Sequence, residues 1–333
     1  MLTGKEEYNK NKENKIEKLI ESNPGLEGFY YFISEKSNDT IYNYLLKIED
    51  FLNQSKKLPE ELNFDDFTRH MLKAKRTKTG KASTASYRIV TYQALKLYGK
   101  YLVVKGILNS NPMDMIERPS AKDSQETIEK RERGFLSEDE IKQYLNAVKT
   151  GVGNSSSRKK QKRWRERDLA IITLLLTTGM RCSALYKIDV NDIDFENQKL
   201  LVTDKGSRVK EYRLANDVLN NLRNWVIKRN MLMSVEEQNA TNALFISHRR
   251  TRITTNAISD IVSKYAVAIE GKNITPHKLR ATYGTQLYNA TKDIYFVQEC
   301  MSHASPTTTE RYIRGQKNKT EEASAIMGAL INI

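Results

Sequence analysis

One segment of the sequence, DLAIITLLLTT from Asp168 to Thr178, is apolar on nearly every side. A helix without a polar face has to be enclosed by other elements, so we predict a fully buried helix here. Gly179 ends this helix, and Arg181 follows directly. An arginine at the end of a core helix is held rigidly, as a phosphate-binding guanidinium needs to be held.

The segments around this helix predict a mainly helical domain with one small antiparallel sheet. Ser137 and Glu140 form a capping pattern at the start of the domain. Two short strand patterns, LLVT and VKEYRL, flank a hairpin turn at Lys205-Gly206. Helical spacing returns over 219–229 and 255–269.

The N-terminal part of the chain predicts a separate helical domain. Ser37 and Asn38 are suited to cap a helix, a short helix is predicted from Phe64 to Leu72, and a long one ends at Gly106. A polar, proline-punctuated stretch then predicts a linker. The predicted organisation is an arm over 1–24, a helical domain over 25–112, a linker over 113–133, a second domain over 134–315, and a tail over 316–333.

The charge balance predicts a polyanionic partner. The chain has 55 Lys and Arg against 41 Asp and Glu, a net charge of +14, which favours nucleic acid or an acidic membrane surface. No apolar window approaches ~18 residues and the first residues lack a signal core, so we expect no membrane partner and a cytoplasmic protein that binds nucleic acid. The two cysteines match neither a disulfide framework nor a zinc site.

Two basic segments are candidates for contact with DNA phosphates. The segment 73–88 carries six basic residues and no acidic one before a predicted helix, and 158–167 carries seven. Helix N-termini and dense Lys/Arg both favour phosphate, although a solvated charged loop is the alternative for each segment. The candidate DNA-binding residues are Lys75, Arg76, Lys78, Lys81, Arg158, Lys159, Lys160, Lys162 and Arg163.

Six polar residues recur at predicted helix ends and turns. They are Arg181, Lys205, His277, Arg280, His303 and Tyr312. Together they supply what metal-free phosphodiester cleavage needs: cations for the non-bridging oxygens, a nucleophilic hydroxyl and a proton donor. Each residue alone has a structural explanation, such as packing for Tyr312 or helix capping for His277. The acidic loop 189–196 lacks the glycine of a calcium loop, so we predict no metal.

The order and spacing of these six residues resemble the catalytic domain of tyrosine recombinases, the phage integrase family that includes the Xer recombinases. The resemblance covers about 134–315, and its motifs are TTGMRCSAL, TDKGSRVKEYRL, ITPHKLRATYGTQL and MSHASPTTTERYI. It implies a two-domain architecture that clamps duplex DNA, four protomers on paired sites, and no metal or nucleotide cofactor.

The resemblance also implies a role for each of the six residues. Tyr312 is the nucleophile, Arg181 and Arg280 clamp the scissile phosphate, and Lys205 is the general acid. The two histidines, His277 and His303, assist.

Four positions depart from the family pattern. Ala184 stands where a glutamate is common three residues after the first arginine, so the support of Arg181 has to come from elsewhere. Met301-Ser302 replaces the usual Leu-Gly before His303, and Ala281 follows Arg280 where a histidine is common. None of these changes removes a catalytic group.

The sequence leaves several functions open. The leading prediction is a recombinase that integrates or excises a mobile element, with a possible accessory or excisionase protein as partner. Xer-type resolution of chromosome or plasmid dimers is the alternative. A type IB topoisomerase would use similar chemistry, and a DNA-binding protein with a degenerate site is the non-catalytic alternative.

Overall fold

The computed structural model describes residues 2–74, 83–120, 134–203 and 209–301. The chain divides into two compact units, one over 6–127 and the other over 1–5 with 128–333. Helices dominate both units, and a three-stranded antiparallel sheet lies in the second. The predicted fold class, mainly α with a small antiparallel sheet, is therefore confirmed.

The N-terminal unit is a helical bundle around an aromatic core. Phe51 lies at its centre, with ring centroids 4.7 Å from Phe67 and 6.3 Å from Tyr98. Its helices are α1 (Gly4–Ser22), α2 (Glu27–Phe32), α3 (Asn38–Ser55), α4 (Phe64–Lys73) and α5 (Ala85–Val104).

The helix boundaries of this unit follow the capping signals in the sequence. The Ser37 hydroxyl accepts from the Thr40 amide at 3.4 Å at the start of α3, as predicted. Gly106 adopts a φ of 71° just after α5, a conformation that glycine accepts without strain.

The core of this unit extends beyond the segment 25–112 in both directions. Ile16 of α1 is only 3% exposed and packs in the same core, so residues 1–24 are not simply an appended arm. Met113 is fully buried in that core, and Ile116 packs against it, so the start of the predicted linker also belongs to the bundle. Apolar side chains spaced within a polar run contribute to a core that local composition does not reveal.

The second unit contains nine described helices and the sheet. The helices are α6 (Glu138–Thr150), α7 (Ser155–Lys162), α8 (Arg165–Thr178), α9 (Cys182–Tyr186), α10 (Asn216–Leu232), α11 (Val235–Ala240), α12 (Thr255–Tyr265), α13 (Pro276–Thr291) and α14 (Ile294–Met301). The strands are β1 (Ile193–Asp194), β2 (Lys199–Thr203) and β3 (Val209–Arg213), paired antiparallel in the order β1-β2-β3.

Helix α8 is the central element of this unit, as its apolar sequence predicts. It packs against α6, α9, α10, α12 and α13. Its first turn is anchored by Asp168, which is fully buried and accepts hydrogen bonds from Arg167, from Lys264 at 2.6 Å and from the Tyr265 hydroxyl at 2.8 Å. A buried carboxylate is tolerated when donors satisfy it in this way.

The predicted β-meander is present. Leu200 pairs with Tyr212 and Val202 with Lys210, and both Leu200 and Val202 are buried. The turn between β2 and β3, which contains Lys205, lies outside the described residues.

Two basic residues that the sequence places in charged segments are structural. Arg167, within the run 158–167, is buried and donates to the Ile246 carbonyl at 3.0 Å. Arg252, in the basic turn before α12, is buried in a salt bridge of 2.5 Å with Asp189 of the acidic loop. The described residues contain no group of three or more side chains suited to hold a metal ion, and none of their helices is long and apolar enough to span a membrane.

Candidate active site

Arg181 is fixed at the junction between two helices. Gly179 ends α8 with a left-handed φ of 59°, and its amide donates to the Leu175 carbonyl at 3.2 Å. The Arg181 carbonyl then accepts from the amides of Ala184 and Leu185 at 2.9 and 3.0 Å, which starts α9. The arginine backbone is therefore held by the core helix before it and the short helix after it.

Arg280 lies against the same junction. It projects from the first half of α13, which is capped by Thr275 and begins at Pro276, with His277 exposed in the first turn. Arg280 is 5% exposed, and its guanidinium donates to the carbonyls of Gly179 and Met301. Since Gly179 is two residues before Arg181, the Arg280 guanidinium lies close to the backbone that carries Arg181.

Both carbonyl acceptors of Arg280 lie at the C-terminal ends of helices. Gly179 caps α8 and Met301 ends α14. The C-terminus of a helix carries partial negative charge, which favours a cation there. A planar guanidinium can span two such acceptors at once, whereas a lysine ammonium acts from a single point.

Gly179 is required by the approach of Tyr283. A Cβ at position 179 would lie 2.3 Å from the Tyr283 ring, and the positive φ disfavours other residues in any case. Burial, and then the neighbouring Cys300 thiol, raise the pKa of the Tyr283 hydroxyl. Tyr283 therefore stays protonated at neutral pH, and its ring packs against Gly179, whose carbonyl binds Arg280.

The end of α14 is held by a second cation, Lys210 of β3. Its ammonium group donates to the carbonyls of Glu299, at 3.5 Å, and Cys300, while Arg280 takes the carbonyl of Met301. Three consecutive carbonyls at this helix end are thus bound by two cations from different elements. The described residues end at Met301, two residues before His303. The contacts at the end of α14 therefore hold the backbone immediately before the segment that contains His303.

The model of the phage integrase family matches residues 134–319, more than half of the chain. The tyrosine recombinase XerC of Pelotomaculum thermopropionicum is 30% identical over 270 residues, which cover 79% of this chain and 80% of that protein. The chain belongs to the phage integrase family. Members of this family break and rejoin DNA, and the resemblance seen in the sequence motifs is confirmed.

Two further comparisons agree with this family assignment. The tyrosine recombinase XerS of Streptococcus thermophilus is 32% identical over 210 residues, which cover 60% of this chain and 58% of that protein. The structure of the XerH site-specific recombinase bound to a palindromic difH substrate superposes with a TM-score of 0.63 at 20% identity. It covers 87% of this chain and 79% of that one. At that identity the superposition establishes a shared fold.

Half of the integrase motif residues lie within the described structure. Arg181, His277 and Arg280 are placed, and the Arg280 guanidinium contacts the Gly179 carbonyl, two residues before Arg181. Lys205, His303 and Tyr312 lie outside the described residues, as do the candidate DNA-binding residues Lys75, Arg76, Lys78 and Lys81 and the tail 316–333. The roles of all these residues stay predictions.

The second basic segment lies away from the arginines. Arg158, Lys159, Lys160, Lys162 and Arg163 are all exposed. They lie on α7 and just after it, before the first turn of α8, whereas Arg181 follows the last turn. The 14 residues of α8 span about 21 Å at 1.5 Å per residue. The structure therefore does not bring this segment to the arginine pair.

Sequence reasoning missed the residues that position Arg280 and α14. Gly179 and Tyr283 lie inside the quoted motifs, and Tyr283 is one helical turn from Arg280, which is a usable signal. Lys210 had no comparable signal, because its acceptors are main-chain carbonyls. Ala184 is buried and has no carboxylate to offer Arg181. The neighbouring Cys182 is no rival nucleophile, since burial raises the pKa of its thiol to about 11.

Replacing Lys210 with methionine is expected to slow DNA cleavage about 10- to 100-fold, because a small displacement of catalytic groups costs rate on that scale. The loss of the ammonium group releases the end of α14 without removing a group that we assign to the phosphate. DNA affinity is expected to stay within about twofold, whereas cleavage in single-turnover assays falls.

The neighbouring strand offers a matched control for Lys210. Lys199 of β2 pairs with the exposed Glu211 at 3.0 Å, and Lys199→Met is expected to cleave normally, since exposed ion pairs contribute little. Lys210→Arg should restore most of the rate because it can still donate to the carbonyls. Equal rates for Lys210→Met and the wild type would show that the contact has no positioning role.

Proposed function

We propose that this protein is a site-specific DNA recombinase that cuts and rejoins strands through a covalent 3′-phosphotyrosine. The observation that carries the proposal is the contact of the Arg280 guanidinium with the Gly179 carbonyl, two residues before Arg181, in a chain that matches the phage integrase family over 134–319. The Arg280 guanidinium is fixed by two helix ends, and a pair of arginines is suited to bind the non-bridging oxygens of one phosphate.

The proposed reaction needs no oxidant and no nucleotide. The Tyr312 oxygen attacks the scissile phosphorus, a bond from phosphorus to that oxygen forms, and the bond to the 5′ oxygen breaks. Lys205 donates a proton to the leaving 5′ oxygen, and the tyrosine proton passes to His277, His303 or water. Negative charge grows on the non-bridging oxygens during the attack, which is where Arg181 and Arg280 stabilise the transition state.

Rejoining is the reverse reaction with a different strand. A 5′ hydroxyl from the partner duplex attacks the phosphotyrosine and releases Tyr312, so no bond energy has to be supplied. Two such exchanges through a Holliday junction recombine two sites. We propose four protomers on paired sites, with the tail 316–333 as a contact within or between protomers.

We assign DNA binding to both basic segments, on the two domains that the family resemblance predicts to clamp duplex DNA. Lys75, Arg76, Lys78 and Lys81 are proposed to contact phosphates from the N-terminal domain, and Arg158, Lys159, Lys160, Lys162 and Arg163 from the second domain. Because the proposed substrate is DNA, we propose a cytoplasmic location.

Integration and excision of a mobile element is the biological role that we propose first, and an accessory or excisionase protein is a candidate partner. Xer-type resolution of chromosome or plasmid dimers is the second candidate. It is favoured by the Xer names of the matched relatives. The two roles differ in the DNA around the gene: repeats and an excisionase gene accompany an element, whereas a solitary gene beside a resolution site indicates dimer resolution.

A covalent adduct on DNA tests the proposal directly. The purified protein is incubated with nicked duplexes or supercoiled DNA that carry candidate sites from the flanks of its gene; binding is measured by gel shift, and the products are separated under denaturing conditions. A band of protein joined to one strand is expected. Binding without an adduct on any duplex would favour the non-catalytic alternative, and relaxation of supercoiled DNA without site preference would favour a topoisomerase.

A further inference from the structure

Leu136 is bound to helix α13 through both of its main-chain polar groups. Its amide donates to the Thr282 hydroxyl at 3.0 Å, and its carbonyl accepts from the Gln286 side-chain amide at 2.9 Å. Thr282 and Gln286 lie four residues apart and therefore on one face of the helix. Leu136 is fully buried, so its amide and carbonyl depend on these two partners.

The residues on either side of Leu136 are bound as well. The Phe135 carbonyl accepts from the Lys272 ammonium group at 2.8 Å, and the same ammonium group pairs with Glu140 at 2.7 Å. Glu140 in turn accepts from the Ser137 amide at 2.7 Å. These three residues, which we call the entry segment, lie close to the start of the described part of the second unit. Side chains from the loop before α13, from α13 and from α6 therefore hold it together.

Thr282 is an unusual residue for a buried position inside a helix. Threonine is a weak helix former, and a buried hydroxyl has to be hydrogen-bonded. Thr282 is 1% exposed, and its hydroxyl donates to the Lys278 carbonyl at 2.9 Å while it accepts from Leu136. A hydroxyl bond within the same helix adds little to helix stability. The bond to Leu136 is the contact that a valine of similar shape could not make.

Helix α13 is held on two opposite sides. Arg280 and Thr282 are two residues apart, which places them about 200° apart around a helix of 3.6 residues per turn. On one side Arg280 binds the carbonyls of Gly179 and Met301, and on the other Thr282 binds Leu136. A rotation of α13 about its axis would shift the Arg280 guanidinium, and the contact with Leu136 resists that rotation.

Accordingly, we propose that Thr282 and Gln286 are positioning residues for DNA cleavage: by binding the entry segment they fix the rotation of α13 and thereby place the Arg280 guanidinium. The inference rests on the proposed function, in which Arg280 binds the scissile phosphate. Thr282 is too deeply buried to contact DNA, so it acts through Arg280. A displacement of about 1 Å at a catalytic group is enough to lower a rate substantially.

The test breaks the contact with Leu136 from each of its two sides. Thr282→Val keeps the shape of the side chain and removes the acceptor, whereas Thr282→Ser keeps the hydroxyl. Gln286→Met removes the donor at a half-buried position, which serves if Thr282→Val folds poorly. The matched control is Tyr144→Phe in α6, which removes another buried hydroxyl bond of the same unit, to the Val262 carbonyl at 2.7 Å.

Single-turnover formation of the covalent adduct is measured with each full-length protein, well below its thermal midpoint. We expect Thr282→Val to be about tenfold slower than the wild type and Gln286→Met about threefold slower, because Arg280 is displaced. Duplex affinity should stay within about twofold, since the phosphate gains most of its charge in the transition state. Thr282→Ser should restore the rate, and Tyr144→Phe should cleave normally although its midpoint falls.

A double-mutant cycle shows whether Thr282 acts through Arg280. In an Arg280→Ala background, Thr282→Val should slow adduct formation by less than about twofold further, because the group that it positions is already absent. A further tenfold loss in that background would overturn the inference, as would a wild-type rate for Thr282→Val or a loss no greater than the unfolded fraction explains.

Hydrogen exchange tests the anchoring without any DNA. Amides of α13 around Arg280 should exchange about tenfold faster in Thr282→Val than in the wild type, while those of α10 are unchanged. Unchanged exchange in α13 would overturn the inference whether or not the wild type forms an adduct. Faster exchange together with a wild type that forms no adduct would contradict the proposed recombinase function and leave the anchoring of α13 standing.

Discussion

Replacing Tyr312 with phenylalanine is expected to abolish the covalent protein–DNA adduct while DNA binding is retained. Only the hydroxyl oxygen that forms the bond to phosphorus is removed, and the aromatic ring is kept. Loss of a nucleophile of this kind lowers turnover by about 10⁴-fold or more. Affinity for a duplex that carries the site should change by less than about twofold, because the attack contributes to the transition state and not to the ground state.

The measurement for Tyr312 needs a control for the loss of a hydroxyl elsewhere. Tyr295 on α14 serves well, since it is 73% exposed and lies in the same part of the chain. Tyr295→Phe is expected to form the adduct at the wild-type rate. An adduct formed by Tyr312→Phe would move the nucleophile to another of the 17 tyrosines, and the half-buried Tyr283, whose hydroxyl has a raised pKa, would be an unsuitable replacement.

The parts of the fold that follow from local pattern were predictable. The apolar run 168–178 predicts the central helix, because a helix that is apolar on all sides has to be buried. The observed helix α8 begins only three residues before this run. The β-meander follows from two alternating runs around a Lys-Gly turn. Capping signals at Ser37 and Ser137 fix helix starts, since the side chains satisfy amides within their own turn.

The parts that depend on distant partners were not predictable. Arg252 looks like any residue of a basic turn until Asp189, 63 positions away, is placed beside it. Arg167 is likewise indistinguishable from its exposed neighbours in sequence, although it is buried against Asp168. Burial of a charge is decided by the fold and not by local composition.

The candidate site shows the same difference between features that follow from local sequence and features that depend on distant partners. The family motifs predict Arg181 and Arg280 as a pair. The contacts that hold Arg280 near the backbone of Arg181 are not predictable from sequence, since Arg280 donates to the carbonyls of Gly179 and Met301, and every residue has a carbonyl. The sequence predicts only an arm over 1–24 for a related reason: the burial of Ile16 depends on the bundle around it.

Arg280→Ala is expected to lower cleavage by about 10²- to 10³-fold, the scale set by loss of one preorganised donor to a developing oxyanion. Binding of the uncleaved site should weaken only a few-fold, because the phosphate gains most of its charge in the transition state. The variant also leaves the helix-end carbonyls of Gly179 and Met301 without this donor, which costs about 1–3 kcal/mol of folding stability for each unsatisfied group.

Folding and catalysis therefore have to be separated for Arg280. Arg252 provides the matched control, since it is equally buried and also bonds to main-chain carbonyls, but lies with Asp189. Arg252→Ala should lower the thermal midpoint yet retain cleavage per folded molecule, whereas Arg280→Ala should lose cleavage even below its midpoint. Arg280→Lys should recover stability better than rate, because an ammonium group can occupy the pocket but cannot reach both carbonyls and the phosphate together. If Arg280→Ala and Arg252→Ala lose cleavage only in proportion to unfolding, Arg280 is a structural arginine and the phosphate clamp reduces to Arg181.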